Sequence, residues 1–190
     1  MTSNIEKTRI QLAQDGDETA FEQLYEIYYE RVLNYAFRRV LDRDVAEDIT
    51  SNVFMAVAKK LKSFEYRHVN SFSGWIFRIA SNEVNQYFRK YGKYKTVDIA
   101  DYEGIIPDDR ESVESEMSKH QDYLRVHAEI VKLKPKHQTI VDLFYFEGMS
   151  HKEIAEVVEM KEGAVRVTLH RALDSIKKKL ESNGYGKVVS

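Results

Sequence analysis

The chain has 190 residues, 43% of them hydrophobic and 32% charged, a mixture that suits one moderate core or two small ones and rules out a chain disordered by composition. Its formal net charge is −2, unlike proteins that hold nucleic acid unaided, and the absence of cysteine excludes disulfides, thiolate catalysis and the usual structural zinc sites. No apolar run reaches the roughly 18 residues of a membrane span and "MTSNIEKTRIQLAQDGDETAF" lacks the order of a signal peptide, so a cytoplasmic protein without direct membrane insertion is expected.

Apolar residues recur at helical spacing almost throughout, and the only prolines are Pro107 and Pro135, which predicts an all-α fold. The first expected helices run from Asn4 to Gln14 and from Glu18 to Leu41. The third, Val45 to Leu61, has Val45, Ile49, Val53, Ala56 and Val57 as its apolar stripe. Glu47, Asp48, Ser51, Asn52, Met55, Ala58 and Lys59 share the other side. Apolar Met55 and Ala58 among polar neighbours suggest a protein-docking surface, although single exposed apolar residues also occur without a partner.

The stretch "KSFEYRHVNSFS" is rich in aromatic and basic residues but has no regular period, so it reads as a loop able to accept an unstacked base. Its candidate contacts are Tyr66, Arg67, His68 and Asn70. A helix from Ser73 to Tyr91 follows, with Phe77, Ala80, Val84 and Phe88 on the core side and Trp75, Arg78, Asn82, Gln86 and Arg89 opposite. Such a row offers a single strand a stacking plane, donors for base edges and charge for phosphates. A tryptophan packed under the preceding loop is the alternative.

Residues 92–118 carry 8 acidic side chains against 3 basic, whereas 1–91 has 13 of each and 119–190 has 13 basic against 10 acidic. The negative total therefore comes from a connector, and the last segment is basic by itself. Three units are expected: 1–91, an acidic linker at 92–118, and 119–190.

In the last unit, helices are expected from Met117 to Leu133, Lys136 to Phe146, His151 to Val158 and Lys161 to Ser182. Ser150 and Glu153 have the S-x-x-E spacing of a capping box. On the final helix Val165, Leu169, Ala172, Leu173, Ile176 and Leu180 form one face, with Gly163, Val167, His170, Arg171, Asp174 and Lys178 opposite and Arg166 on the flank. Two helices joined by a tight turn, the second basic and outward-facing, fit a helix-turn-helix reader of DNA. Val167 suits a thymine methyl, and Arg or His can donate to guanine or phosphate; an ordinary helical hairpin with solvated cations is the competing reading.

Enzyme chemistry finds no support. The six histidines, at 68, 120, 127, 137, 151 and 170, are scattered, "HKEIAE" is not H-E-x-x-H, and neither a glycine-rich phosphate loop nor a nucleophile elbow occurs. No catalytic residue, metal, cofactor or small-molecule substrate is expected.

Three stretches, "DETAFEQLYEIYYERVLNYAFRRVLDRDVAEDITSNVFMAVAKKLKSF", "FSGWIFRIASNEVNQYFRK" and "SHKEIAEVVEMKEGAVRVTLHRAL", resemble regions 2 and 4 of the bacterial extracytoplasmic-function sigma factors, in order and over about residues 15–182. "FEYR" at 64–67 also resembles the matching stretch of primary sigma factors. The resemblance implies two small helical domains, a region 2 bundle and a region 4 helix-turn-helix, that bind RNA polymerase core and promoter DNA. Region 2 would dock on the clamp of the largest subunit through Glu47, Asp48, Ser51, Asn52 and Met55. It would recognise and melt the minus-10 element through Tyr66, Arg67, His68, Asn70, Trp75, Arg78, Asn82, Gln86 and Arg89. Region 4 would meet the flap of the second-largest subunit and read minus-35 DNA through Arg166, Val167, His170, Arg171 and Lys178, and the linker would approach the active-centre and RNA-exit channels. An anti-sigma partner and a stress or envelope regulon are further implications.

The chain departs from the family pattern at Ser51 and Asn52, where a Gln-Glu pair often faces the clamp, leaving Asp48 and Met55 to carry more of the docking. Thr168 replaces a basic residue and Lys161 a helix-opening proline. Two other classes share some of these features: a conventional helix-turn-helix regulator, and a sigma-mimicking protein that titrates an anti-sigma factor.

Overall fold

The computed structural model describes residues 2–68, 70–92 and 113–184, with side chains from 5 onward in the first stretch and from 122 onward in the last. Most of the acidic connector, 93–112, therefore lies outside the described residues. The chain divides into two compact units. The first contains α1 (Thr2–Gln14), α2 (Glu18–Val40), α3 (Arg43–Lys60), a short 3-10 turn (Leu61–Ser63) and α4 (Ser71–Tyr91); the second contains α5 (Val113–Ile130), α6 (Pro135–Tyr145), α7 (His151–Val158) and α8 (Glu162–Ser182). No strand occurs among the described residues.

Local chemistry sets the helix ends. Asp17 caps α2 by accepting from the Ala20 N–H at 2.9 Å. At the other end Leu41 adopts φ 55°, ψ 34° and donates its N–H to Phe37. A left-handed leucine is costly, and its burial helps hold it there. Asp42 at once caps α3 by accepting from the Val45 N–H at 3.1 Å. Hence α3 begins at Arg43 rather than Val45. Asn70 precedes α4, which starts at Ser71 rather than Ser73, with no side-chain cap bond and with φ 66°, a conformation asparagine tolerates better than most residues.

The core of the first unit is made by α2 (Leu24, Tyr28, Val32, Tyr35), α3 (Ile49, Val53, Val57) and α4 (Phe72, Ile76, Phe77, Ala80, Val84), with Ile10 closing it from α1. The α3 face is rotated from the expected stripe. Ala46, Thr50 and Phe54 are buried, whereas Val45 and Ala56 are only half-buried. Thr50 can join the core because its hydroxyl donates to the Ala46 carbonyl at 2.7 Å, which leaves no unsatisfied polar group. On α4 the buried face extends to Phe72, Ser73, Ile76, Ile79 and Ser81, while Phe88 is half-buried.

In the second unit Val165, Leu169, Ala172, Ile176 and Leu180 of α8 pack with α5, α6 and α7, and Leu173 is half-buried rather than buried. Gln138 is fully buried and its amide donates to the carbonyls of Val131 (2.7 Å) and Leu133 (2.9 Å), satisfying oxygens just beyond the end of α5. The capping box on α7 is complete: the Glu153 N–H donates to Ser150 Oγ at 3.3 Å, and the Ser150 N–H to Glu153 Oε2 at 2.7 Å. Ser150→Ala should therefore destabilise the helix-turn-helix unit by about 1 kcal/mol, read as a lower midpoint in chemical denaturation, with Ser150→Thr retaining most of that stability.

Candidate functional site

Three exposed surfaces contain the side chains singled out from the sequence. On α8 the buried side places Val165 and Leu169 inward, leaving Arg166, His170, Arg171, Asp174 and Lys178 exposed and Val167 49% exposed. The turn from α7 passes through Glu159 in the left-handed region and ends at Lys161, the residue before the first helical turn. Thr168 does not project as a free donor, because its hydroxyl returns to the Ala164 carbonyl at 2.7 Å.

Intrahelical pairing, unforeseen from the row of basic residues, organises this surface. The Arg166 guanidinium meets Glu162 at 3.0 Å, and His170 Nδ1 lies 3.7 Å from Asp174. Both pairs are one helical turn apart and exposed, so each contributes less than about 1 kcal/mol and yields readily to a stronger anion. The E-x-x-x-R spacing of Glu162 and Arg166 was the available signal. Arg171 differs. Its neighbourhood is cationic, for the His137 imidazole on α6 is held below its ordinary range first by burial, then by Lys134 and Arg171. No ion pair to Arg171 is formed among the described residues, which suits contact with a phosphate rather than with a base edge.

The second surface joins α4 to the segment before it. Trp75 is half-buried, its ring 4.9 Å from Phe64 and 5.6 Å from Phe72, and Phe64 and Phe72 meet edge-on at 5.1 Å. The tryptophan is thus packed under the preceding segment while keeping part of its surface in solvent. Asn82, Gln86 and Arg89 are exposed and Arg78 half-buried along the same row. Glu65 and Arg67 are exposed and lie 3.9 Å apart, with Tyr66 and His68 half-buried between anchors at either end. The far anchor is Ser71, whose N–H donates to the His68 carbonyl at 3.0 Å and whose Oγ accepts from the Arg67 N–H at 3.3 Å. Gln14 supplies the near one: its amide donates to the carbonyls of Leu61 (2.8 Å) and Phe64 (2.7 Å).

On α3, Asp48, Ser51 and Asn52 are exposed and Met55 is 52% exposed. Glu47 is half-buried and paired with Arg43 at 3.0 Å. Beside them lies an aromatic group missed in the sequence reading. Tyr25 stands 4.6 Å from Phe54 and 5.0 Å from Tyr29. Burial, followed by Tyr29, pushes the Tyr25 phenol above its ordinary range. Tyr25, Tyr28 and Tyr29 on one helix were the only sequence signal.

A helical chain whose second unit presents a basic, outward-facing helix after a capped partner helix belongs to the helix-turn-helix class of DNA-binding proteins. The comparisons narrow this. Residues 24–94 match the sigma-70 region 2 family and residues 123–176 the sigma-70 region 4 family. RNA polymerase sigma factor YlaC of Bacillus subtilis is 32% identical over 161 residues, covering 85% of this chain and 92% of its own length. ECF RNA polymerase sigma factor SigW of the same organism is 28% identical over 187 residues, covering 92% and 96% respectively. In fold the chain is similar to CnrH in complex with the cytosolic domain of CnrY (TM-score 0.69, 20% identity, 93% of this chain and 97% of that one). It is also similar to the sigma factor RpoE in complex with the anti-sigma factor NepR from Bartonella quintana (TM-score 0.64, 20% identity, 85% and 96%). The chain belongs to the extracytoplasmic-function sigma factors of RNA polymerase. No described helix is long and apolar enough to cross a membrane.

The shared packing of the Trp75 ring has a direct consequence for stability. Trp75→Ala should lower the thermal midpoint by the equivalent of about 2 kcal/mol, less than for a fully buried tryptophan. Trp75→Phe, which keeps a ring against Phe64 and Phe72, should lose less than half of that. Differential scanning calorimetry of the three proteins checks it.

Proposed function

We propose that the chain is a dissociable, non-catalytic specificity subunit that directs RNA polymerase core to chosen promoters, working in the cytoplasm on a stress or envelope-response regulon. Residues 1–91 act as region 2, 92–118 as the acidic linker and 119–190 as region 4. The supporting observation is the pairing, within one chain, of an α8 surface of Arg166, Val167, His170, Arg171 and Lys178 over a buried Val165–Leu169 side with an α4 row of Trp75, Arg78, Asn82, Gln86 and Arg89. The first suits duplex DNA and the second an opened strand. Tyr66, Arg67, His68 and Asn70 form the base-accepting loop beside Trp75. Glu47, Asp48, Ser51, Asn52 and Met55 dock on the clamp of the largest subunit, and region 4 engages the flap of the second largest. An anti-sigma factor is the expected regulator.

The net charge of −2 fits this role. Core polymerase supplies most of the DNA-holding surface and keeps region 4 near its site at high effective concentration, so the free subunit need not bind DNA tightly. Run-off transcription with core polymerase and a promoter library tests the function. Defined transcripts that depend on this chain are expected; transcription unchanged by its addition would overturn the reading and favour a regulator or a sigma mimic.

Two sets of substitutions examine the assigned surfaces. Asp48→Arg, and more weakly Met55→Glu, should reduce core affinity by about 1–3 kcal/mol without loss of folding. A folded variant that binds core as tightly as the parent removes that residue from the interface. For region 4, selection from a randomised minus-35 library should give altered preferences for Arg166→Ala, Val167→Ala and His170→Ala, by about 1–3 kcal/mol per changed base contact. Arg171→Ala should instead weaken all sequences alike and flatten the salt dependence. The opposite pattern would mean that α8 sits in the groove in another rotation.

A further inference from the structure

We propose that Gln14, at the end of α1, is a positioning residue for promoter melting: its side-chain amide sets the take-off of the segment that presents Tyr66, Arg67 and His68 to the opened strand. The inference rests on the minus-10 reading of that loop. It is carried by two hydrogen bonds that span 47 and 50 residues of sequence, from Gln14 Nε2 to Leu61 O at 2.8 Å and to Phe64 O at 2.7 Å.

These carbonyls lie where regular structure stops. Leu61 opens the 3-10 turn and Phe64 is its extended C-cap, with φ −74° and ψ 130°. The Phe64 N–H already closes the turn onto Leu61 O at 3.0 Å, and the glutamine adds a further donor to that oxygen and a donor to Phe64 O. One NH2 group with two hydrogens satisfies both, which neither a hydroxyl nor a carboxylate can do. Fixing Phe64 O fixes the peptide plane that leads into Glu65, and it holds the Phe64 ring against Trp75, 4.9 Å away. Ser71 holds the other end of the loop. Between these anchors Glu65 and Arg67 are exposed and Tyr66 and His68 half-buried while the backbone is restrained, the preorganisation that capture of an unstacked base requires.

The other half of α1 is fastened independently. Tyr28 donates to Glu6 at 2.6 Å, and its ring lies 5.5 Å from that of Phe72 in the first turn of α4. Losing the Gln14 bonds should therefore release the loop without detaching α1.

The test uses holoenzymes assembled from the full chain carrying Gln14→Glu, Gln14→Ala or Gln14→Lys. Each is titrated with a single-stranded minus-10 oligonucleotide selected by the parent holoenzyme, and core affinity and thermal midpoint are measured alongside. Gln14→Glu turns carboxylate oxygens onto two carbonyls, and Gln14→Ala removes the donor. Both should lose about tenfold in oligonucleotide affinity, with core affinity unchanged. Gln14→Lys restores donors to both oxygens and should recover most of the loss. Equal binding by parent and Gln14→Glu would overturn the proposal, as would equal impairment of Glu and Lys variants, which would show that donors at this position do not set the loop. Parallel losses of core affinity and thermal midpoint in all three would assign Gln14 to packing and also overturn it. Tyr66→Ala/Arg67→Ala is the control: if it binds the oligonucleotide normally, the loop reading itself fails, whereas its failure beside an unaffected Gln14→Glu sinks only the role of Gln14.

Discussion

Burial of Phe72 organises the first unit. Its side chain is fully enclosed, with Tyr28 edge-on at 5.5 Å, Phe64 at 5.1 Å and Trp75 at 5.6 Å. These partners come from α2, from the segment after the 3-10 turn and from α4, so one ring ties three parts of the chain together. A cluster of this kind has strict geometry, because each ring loses contacts outright if another withdraws. Polar bonds then fix what the rings leave loose. Burial first, and then the hydrogen bond to Glu6, push the Tyr28 phenol far above its ordinary range, so it remains a neutral donor. The result is a rigid base for a short surface loop.

Both units solve one local problem in the same way. A chain that leaves a helix carries carbonyls without intrahelical partners. In the first unit Gln14 reaches Leu61 and Phe64, and in the second Gln138 reaches Val131 and Leu133. Each amide donates two bonds into backbone that then changes direction, toward the loop before α4 in one case and toward α6 in the other. A glutamine suits this task because its two hydrogens diverge in one plane and it carries no charge to desolvate.

Much of this architecture was legible in the sequence because helices bury residues at a fixed period. The α8 face was read nearly complete, and the Ser150–Glu153 box placed the start of α7 at His151. What escaped depended on partners far along the chain or on residues that change character in context. Thr50 reads as polar, but its bond to Ala46 makes it a core residue and rotates the α3 face by including Ala46 and Phe54. Asp42 and Asn70 read as loop residues, yet each stands at a helix start. Trp75 shares the α4 row with Arg78, Asn82, Gln86 and Arg89, but it also packs against Phe64, across a segment with no periodicity. Gln14 gave no signal, since nothing local marks an acceptor 47 residues away.

The chain's net charge of −2 comes from its connector, and on α8 itself the basic side chains are partly neutralised within the helix. Carboxylates stand one turn from two of its exposed polar groups, Glu162 from Arg166 and Asp174 from His170. In free protein these pairs reduce the field that any phosphate backbone meets, so nonspecific attraction falls on the very surface that must discriminate. At a correct site a guanidinium can exchange an exposed, weakly held carboxylate for two acceptors on one guanine edge, in geometry only that base offers. Arg171, near Lys134 and His137, has no such intrahelical carboxylate partner among the described residues, which fits the phosphate role proposed for it. In the proposed role the same helix would separate a general positioning charge at Arg171 from muted donors at Arg166 and His170, a muting made tolerable by tethering to polymerase, which rather than bulk affinity would bring the helix to its site.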